Sequence, residues 1–98
     1  MTKADIVDHI ASGTGLTKVE TEAVVDGFIQ TVIGALKEGK NIEIRGFGSF
    51  KTKKRKGRIA RNPRTGAQVQ VAEHYVPFFK VSKELRTVVN DNLKKTQS

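Results

Sequence analysis

Apolar positions recur at helical spacing twice near the N-terminus of this 98-residue chain. Ile6, Val7, Ile10 and Ala11 form one stripe. Thr2, with Asp5 three residues later, predicts the capping box that starts this helix. Gly13 and Gly15 are expected to stop it. Leu16-Thr17-Lys18-Val19-Glu20 repeats the start signal, with Thr17 as cap and Glu20 as its reciprocal partner. The second helix is predicted to run to about Lys37, with Gly39 just past its end. At ~100° per residue, Val24, Val25, Phe28, Ile29, Val32, Ile33, Ala35 and Leu36 fill about half its circumference. A helix docked on one layer needs only a stripe of about 100°. The wider face implies two packing surfaces, its own sheet and another subunit; the alternative is a helix wedged deep in a monomer core.

Beyond Lys40 the period changes from helical to alternating. Ile42 and Ile44 alternate with Asn41, Glu43 and Arg45 and predict a strand. Gly46-Phe47-Gly48 is expected to turn the chain. Phe50 opens a second strand, and Val69 and Val71, alternating with Gln68 and Gln70, mark its return. Val76, Pro77, Phe78, Phe79 and Val81 follow, and Pro77 argues for an edge or a bulge. Ser82 caps a last helix, whose Leu85, Val88, Val89 and Leu93 share a face. The expected order is two helices, three strands and one helix, an α+β fold. One domain spans 1–98: a body at 1–50 and 72–93, an arm at 51–71, and a frayed tail at 94–98.

Charge changes the picture. The chain has 18 basic and 10 acidic side chains. Lys51, Lys53, Lys54, Arg55, Lys56, Arg58, Arg61 and Arg64 lie within residues 51–66 without one acid, so the rest of the chain balances at 10 against 10. Between Lys51 and Gln70 only Ile59, Ala60, Ala67 and Val69 are apolar. Such a hairpin has no face rich enough to bury and is expected to project into solvent. Ordinary surfaces mix signs, and eight like charges together point to a polyanion, first of all nucleic acid. A body of about 80 residues is marginal alone, which favours a dimer.

At the end of the basic run stands Arg61-Asn62-Pro63-Arg64-Thr65-Gly66. Asn62 and Pro63 suit the first two positions of a tight turn, and Gly66 suits its left-handed close. Turn chemistry alone explains Pro63. At the tip of a cationic arm, however, it is also a rigid apolar wedge of the kind that opens base steps from the minor groove. Arg61 and Arg64 flank it and match the negative potential of a narrow groove.

Other patterns carry less. Gly34, Gly39 and Lys40 imitate a phosphate-binding loop, but Asn41 replaces the hydroxyl residue and the segment ends a helix. Gly46-Phe47-Gly48 lacks the third glycine and the following helix of a dinucleotide site. His9 and His74 have no metal-ligand spacing, so no metal and no cofactor is expected, nor any enzymatic activity or small-molecule substrate. The chain has no cysteine, no apolar run near the ~18 residues of a membrane span, and no apolar stretch after Met1-Thr2-Lys3-Ala4-Asp5 that reads as a signal peptide. A cytoplasmic protein without membrane partners is expected.

Gly46-Phe47-Gly48-Ser49-Phe50, the basic positions, Arg61 to Gly66 and Val76-Pro77-Phe78-Phe79-Lys80 together resemble the bacterial HU/IHF family of histone-like proteins. The resemblance covers almost the whole chain. It implies an intertwined dimer with a helical base and two β-ribbon arms, extended from a three-stranded antiparallel sheet, that embrace duplex DNA through the minor groove. It places Pro63 as the intercalating wedge, with Lys53, Arg55, Arg58, Arg61 and Arg64 as arm contacts and Asn62 near the base edges. Gly46, Gly48 and Ser49 approach phosphates at the saddle, and Lys3 and Lys83 touch flanking phosphates. Phe28, Phe47, Phe50 and Phe79 form the dimer core. Ala60 departs from a frequent glycine, and Val81 from a frequent proline.

The function so implied is that of an architectural, nucleoid-associated protein that bends and compacts DNA with low sequence specificity and prefers bent, nicked or gapped duplexes. A homodimer is expected. One alternative is an IHF-like subunit, to which Ile42-Glu43-Ile44-Arg45 and Lys83-Glu84-Leu85-Arg86 are similar, forming a heterodimer with a preferred site. The other is an RNA-binding protein, disfavoured because the aromatics read as core and not as an exposed stacking platform.

Overall fold

The structure, a computed structural model, describes residues 1–97. The element order is α1 (Lys3–Thr14), α2 (Lys18–Lys37), β1 (Ile42–Ile44), β2 (Gly48–Arg55), β3 (Arg58–Arg61), β4 (Gln68–Val71), β5 (His74–Val81) and α3 (Lys83–Gln97). All strand pairs are antiparallel, so the fold is α+β as expected.

Both N-terminal helices begin at complete capping boxes. Thr2 N–H donates to Asp5 Oδ2 at 2.8 Å, and Glu20 N–H donates to Thr17 Oγ1 at 3.1 Å. The hydrogen bond from Thr2 holds the Asp5 carboxyl below its ordinary range, because the ionised form is the acceptor. Gly13 lies inside α1; the stop is Gly15, whose N–H donates to Ala11 O. Ser82 Oγ accepts from Leu85 N–H at 3.0 Å and caps α3.

β1, β2 and β5 form a three-stranded sheet in that order, with Phe50 paired to both Ile42 and Phe79. β5 is an edge strand, which is where Pro77 can forgo a ladder hydrogen bond. α2 lies on this sheet through Phe28, whose ring meets Phe50 edge-on at 6.5 Å. Phe50 meets Phe79 at 4.8 Å and Phe79 meets Phe47 at 5.0 Å. The four phenylalanines therefore touch in a row, yet Phe28 and Phe47 at its ends are 48% and 42% exposed.

The enclosed core is very small. Among the described residues, only Val7, Ala11 and Thr21, between α1 and α2, and Gly48, on β2, are buried. The accessible surface is 8413 Å², against about 5,500 Å² for a compact monomer of this mass. The radius of gyration is 19.1 Å, against about 13 Å for a compact chain of this length. Val24, Ile29 and Ile33 on α2 and Val88, Val89 and Leu93 on α3 face outward. The wedged-helix alternative for α2 is thereby excluded.

Two expectations need correction. The two long strands are each broken, at Lys56-Gly57 and Ala72-Glu73, so five strands form a three-stranded and a two-stranded sheet. The β2–β5 pairing itself continues to Arg55 opposite His74, so the second strand runs from Phe50 into the basic run as expected. Finally, α3 continues to Gln97 and takes in most of the expected tail. Lys94 and Lys95 are good helix formers and complement the negative end of the helix dipole. Ser98, the last residue of that tail, lies outside the described residues.

Candidate nucleic-acid interface

The basic run occupies the outer half of β2, the break and the β3–β4 hairpin. Ile59, Arg61, Gln68 and Gln70 share one face of that hairpin, and Arg58, Ala60, Val69 and Val71 the other, by register and two-residue alternation. Arg58 and Arg61 thus stand on opposite faces. Ile59 is 69% exposed, so the hairpin does not pack on the body.

The tip is tightly built. Asn62 Oδ1 accepts from Arg64 N–H at 2.9 Å, and Asn62 O accepts from Gly66 N–H at 2.8 Å. Asn62 N–H donates to Ala67 O at 2.8 Å, and Thr65 Oγ1 accepts from Ala67 N–H at 3.2 Å. Gly66 takes φ 72°, a left-handed conformation open to glycine. Asn62 spends its side-chain oxygen on the turn. Pro63 and Arg64 are exposed at the apex.

Of the eight cations in this run, Lys54 has a carboxylate partner, Glu73, at 3.0 Å across the root. Among the described residues the other seven form no ion pair. On the body, among the described residues, Lys3, Lys18 and Lys40 have carboxylate partners, whereas Lys37, Arg45, Lys80, Lys83 and Arg86 form no ion pair. Lys3 Nζ lies 2.9 Å from Asp26 and 3.9 Å from Glu22, and Lys18 lies 3.3 Å from Asp8. The hydrogen bond and charge of Asp26 hold the Lys3 ammonium above its ordinary range. The structure therefore places the expected site residues in three groups. Lys53 and Arg55 lie on the outer half of β2, Arg58 and Arg61 on β3, and Asn62, Pro63 and Arg64 in the β3–β4 turn. Gly46, Gly48 and Ser49 sit at the β1–β2 turn and the start of β2, and Ser82 N–H donates to Phe47 O there, bringing Lys83 at the α3 N-terminus close by. Lys3 stands apart, on α1 beside α2.

The sequence reading passed over His74 as a site residue, and no linear spacing marks it. Only the register brings it opposite Arg55. Among the described residues, no cluster of acids and histidines suited to a metal ion is present, and no helix is long and apolar enough to cross a membrane.

A family model described as bacterial DNA-binding protein matches residues 1–90. Integration host factor subunit beta of Marinobacter nauticus is 47% identical over 96 residues, covering 97% of this chain and 98% of that protein. The DNA-binding protein HU of Pasteurella multocida is 39% identical over 89 residues, covering 91% and 99%. An Anabaena HU–DNA cocrystal structure superposes with a TM-score of 0.86 at 35% identity, covering 91% of this chain and 97% of that one. HU from Thermotoga maritima gives 0.65 at 27% identity, covering 91% and 98%.

Proposed function

The chain belongs to the bacterial DNA-binding protein family of HU and integration host factor, and we propose that it works as a dimer whose two β-ribbon arms grip duplex DNA through the minor groove and bend it. The family consists of architectural DNA-binding proteins and not of enzymes. One observation carries the proposal: seven cations without carboxylate partners follow a solvent-standing ribbon that ends in an exposed Pro63. The relative crystallised with DNA, at TM-score 0.86, supports the same reading.

Dimerisation answers the surface problem. The excess over a compact monomer is about 2,900 Å² per chain, about 5,800 Å² for two; the solvent-standing hairpin accounts for part of it, and the rest is on the scale of obligate interfaces, about 2,000–5,000 Å² in total or more. The row Phe28, Phe50, Phe79 and Phe47, open at both ends, and the outward faces of α2 and α3 are the surfaces it covers.

Grip comes from charge. If a dimer neutralises about 8 phosphates, log K against log salt falls with a slope of about −7. Bending comes from Pro63. Wedging a base step takes a few kcal/mol, offset by the greater surface that a bent duplex wraps. Arg61 and Arg64 hold the groove beside the wedge, and the Asn62 amide meets acceptors on the base edges. Gly46, Gly48, Ser49, Lys3 and Lys83 meet backbone phosphates along the body. Low sequence specificity follows from the degenerate pattern of the minor groove. The proposed place of work is the nucleoid, in the cytoplasm.

Energy-transfer measurement of bend angle, with affinity, on intact and nicked duplexes tests this. Nicked DNA is expected to bind more tightly, and Pro63→Ala to reduce the bend more than the affinity for linear DNA. Equal affinity for both duplexes, or an unchanged angle, refutes the wedge. The 47% identity to an integration host factor subunit favours a second reading, a heterodimer subunit with a preferred site read through DNA deformability. Competition between defined and random sequence separates the two.

A further inference from the structure

Arg55 ends β2 directly opposite His74, the first residue of β5. Arg58, the first residue of β3, joins them around an open concavity of about 360 Å³. No acid lines it. Glu73, next to His74 in sequence, is turned to Lys54 at 3.0 Å. Lys53 lies on the same face of β2 as Arg55 by alternation. The charged groups around the ring are thus Arg55 and Lys53 from β2, Arg58 from β3, and the Lys54–Glu73 pair.

His74 Nδ1 is 3.0 Å from Ala72 O. A carbonyl oxygen only accepts, so Nδ1 holds the ring hydrogen and Nε2 is the position left to gain one. Neutral, Nε2 presents a lone pair and offers nothing to an anion. Protonated, it becomes a charged N–H donor. Histidine is the side chain whose ordinary titration falls between about pH 5 and 8.

We propose that Arg55, Arg58 and His74 form a phosphodiester-binding subsite at the root of the arm, in which His74 takes up a proton as DNA binds, so that the grip tightens toward acid pH. This deepens the reading of the ribbon as a DNA-binding arm and rests on it. The proton comes from solvent to Nε2. A bound phosphate favours the charged imidazolium, and by linkage protonation favours bound phosphate. One additional phosphate contact per arm, two per dimer, steepens the salt slope by about 2 on passing from basic to acidic solution.

The test is fluorescence anisotropy of the full-length protein on a labelled duplex, at about pH 6 and about pH 8, with ionic strength held constant. The wild type is expected to bind about tenfold more tightly at the lower pH. His74→Gln loses that response, and His74→Lys binds tightly at both values. His9→Gln, on α1, responds like the wild type. Calorimetry in buffers of different ionisation enthalpy is expected to show proton uptake by the wild type and none by His74→Gln. A His74→Gln protein that keeps the wild-type response, or a wild type that takes up no proton, overturns the subsite alone. A wild type that binds no duplex at either pH overturns the arm reading and the subsite with it.

Discussion

Gly48→Ala tests the tightest approach in the fold. A Cβ added at Gly48 lands 2.5 Å from Lys80 O and 2.5 Å from Phe79 Cζ, with backbone φ at 159°. Gly46, two residues earlier, also has positive φ, 82°, but a Cβ there meets nothing within 4 Å. The pair separates two effects. Gly46→Ala carries only the conformational penalty, about 1–2 kcal/mol. Gly48→Ala carries a similar penalty plus overpacking of about 1–3 kcal/mol. The added clash is with the backbone of β5, so the β2–β5 ladder itself must part next to the Phe47–Phe79 contact. At about 4–8 °C per kcal/mol for a chain of this size, Gly46→Ala lowers Tm by roughly 4–16 °C and Gly48→Ala by roughly 8–40 °C, about twice as much at the midpoints. Thermal melts at one fixed protomer concentration measure both. Phe79→Leu in the Gly48→Ala background removes the ring contact but not Lys80 O, so it does not restore stability. Equal Tm values for the two glycine variants refute the close-approach argument.

An obligate dimer gains about 1.4 kcal/mol for each tenfold rise in protomer concentration, which raises Tm by about 3 °C for two chains of this length; a Tm independent of concentration refutes the proposed interface. The lowered pKa of Asp5 means that its contribution is complete above the unfolded carboxyl's pKa and is lost as pH falls through the folded value. The Tm deficit of Asp5→Ala is therefore expected to shrink in acid, and a deficit independent of pH refutes the charged cap. Asp26→Asn frees Lys3 from its 2.9 Å partner, so duplexes long enough to reach the body bind more tightly and with a steeper salt slope. An unchanged slope removes Lys3 from the proposed contacts.

Local chemistry was the legible part of this molecule. Thr2 with Asp5, Thr17 with Glu20, and Ser82 announce their helices because a cap is settled within four residues. The wide apolar face of α2 foretold more surface than one chain covers. The strand breaks were not legible, because they depend on what lies across the ribbon. A Cβ at Gly57 meets Val71 O at 3.1 Å and Glu73 N at 3.3 Å, a proximity that pairing alone creates. In the sequence Gly57 is one neutral residue in a basic run. His74 was passed over for the same reason: nineteen positions separate it from Arg55, and only register joins them. Metal-ligand spacing was the wrong criterion for a histidine set among guanidinium groups.

The division of arginines between the ribbon's faces also bears on mechanism. A minor groove about 6 Å wide has a phosphate wall on each side. A ribbon lying in it with cations on one face would hold one strand only. Here Arg58 and Arg61 are three residues apart on β3, an odd spacing, and so lie on opposite faces of the hairpin, which the proposed complex sets against opposite walls. Arg61 shares its face with Gln68 and Gln70, whose amides can donate to the acceptors that every base pair presents in that groove. The Arg58 face continues to Val69 and Val71, which stiffen the hairpin without adding polar recognition. In the proposed complex both walls are gripped by charge, one of them with the Gln68 and Gln70 amides beside its arginine, and the wedge stands beyond them at the tip. Low specificity is then, in that proposed complex, a consequence of strand register: the alternation that puts one arginine on each face of the hairpin leaves only general-purpose donors for the bases.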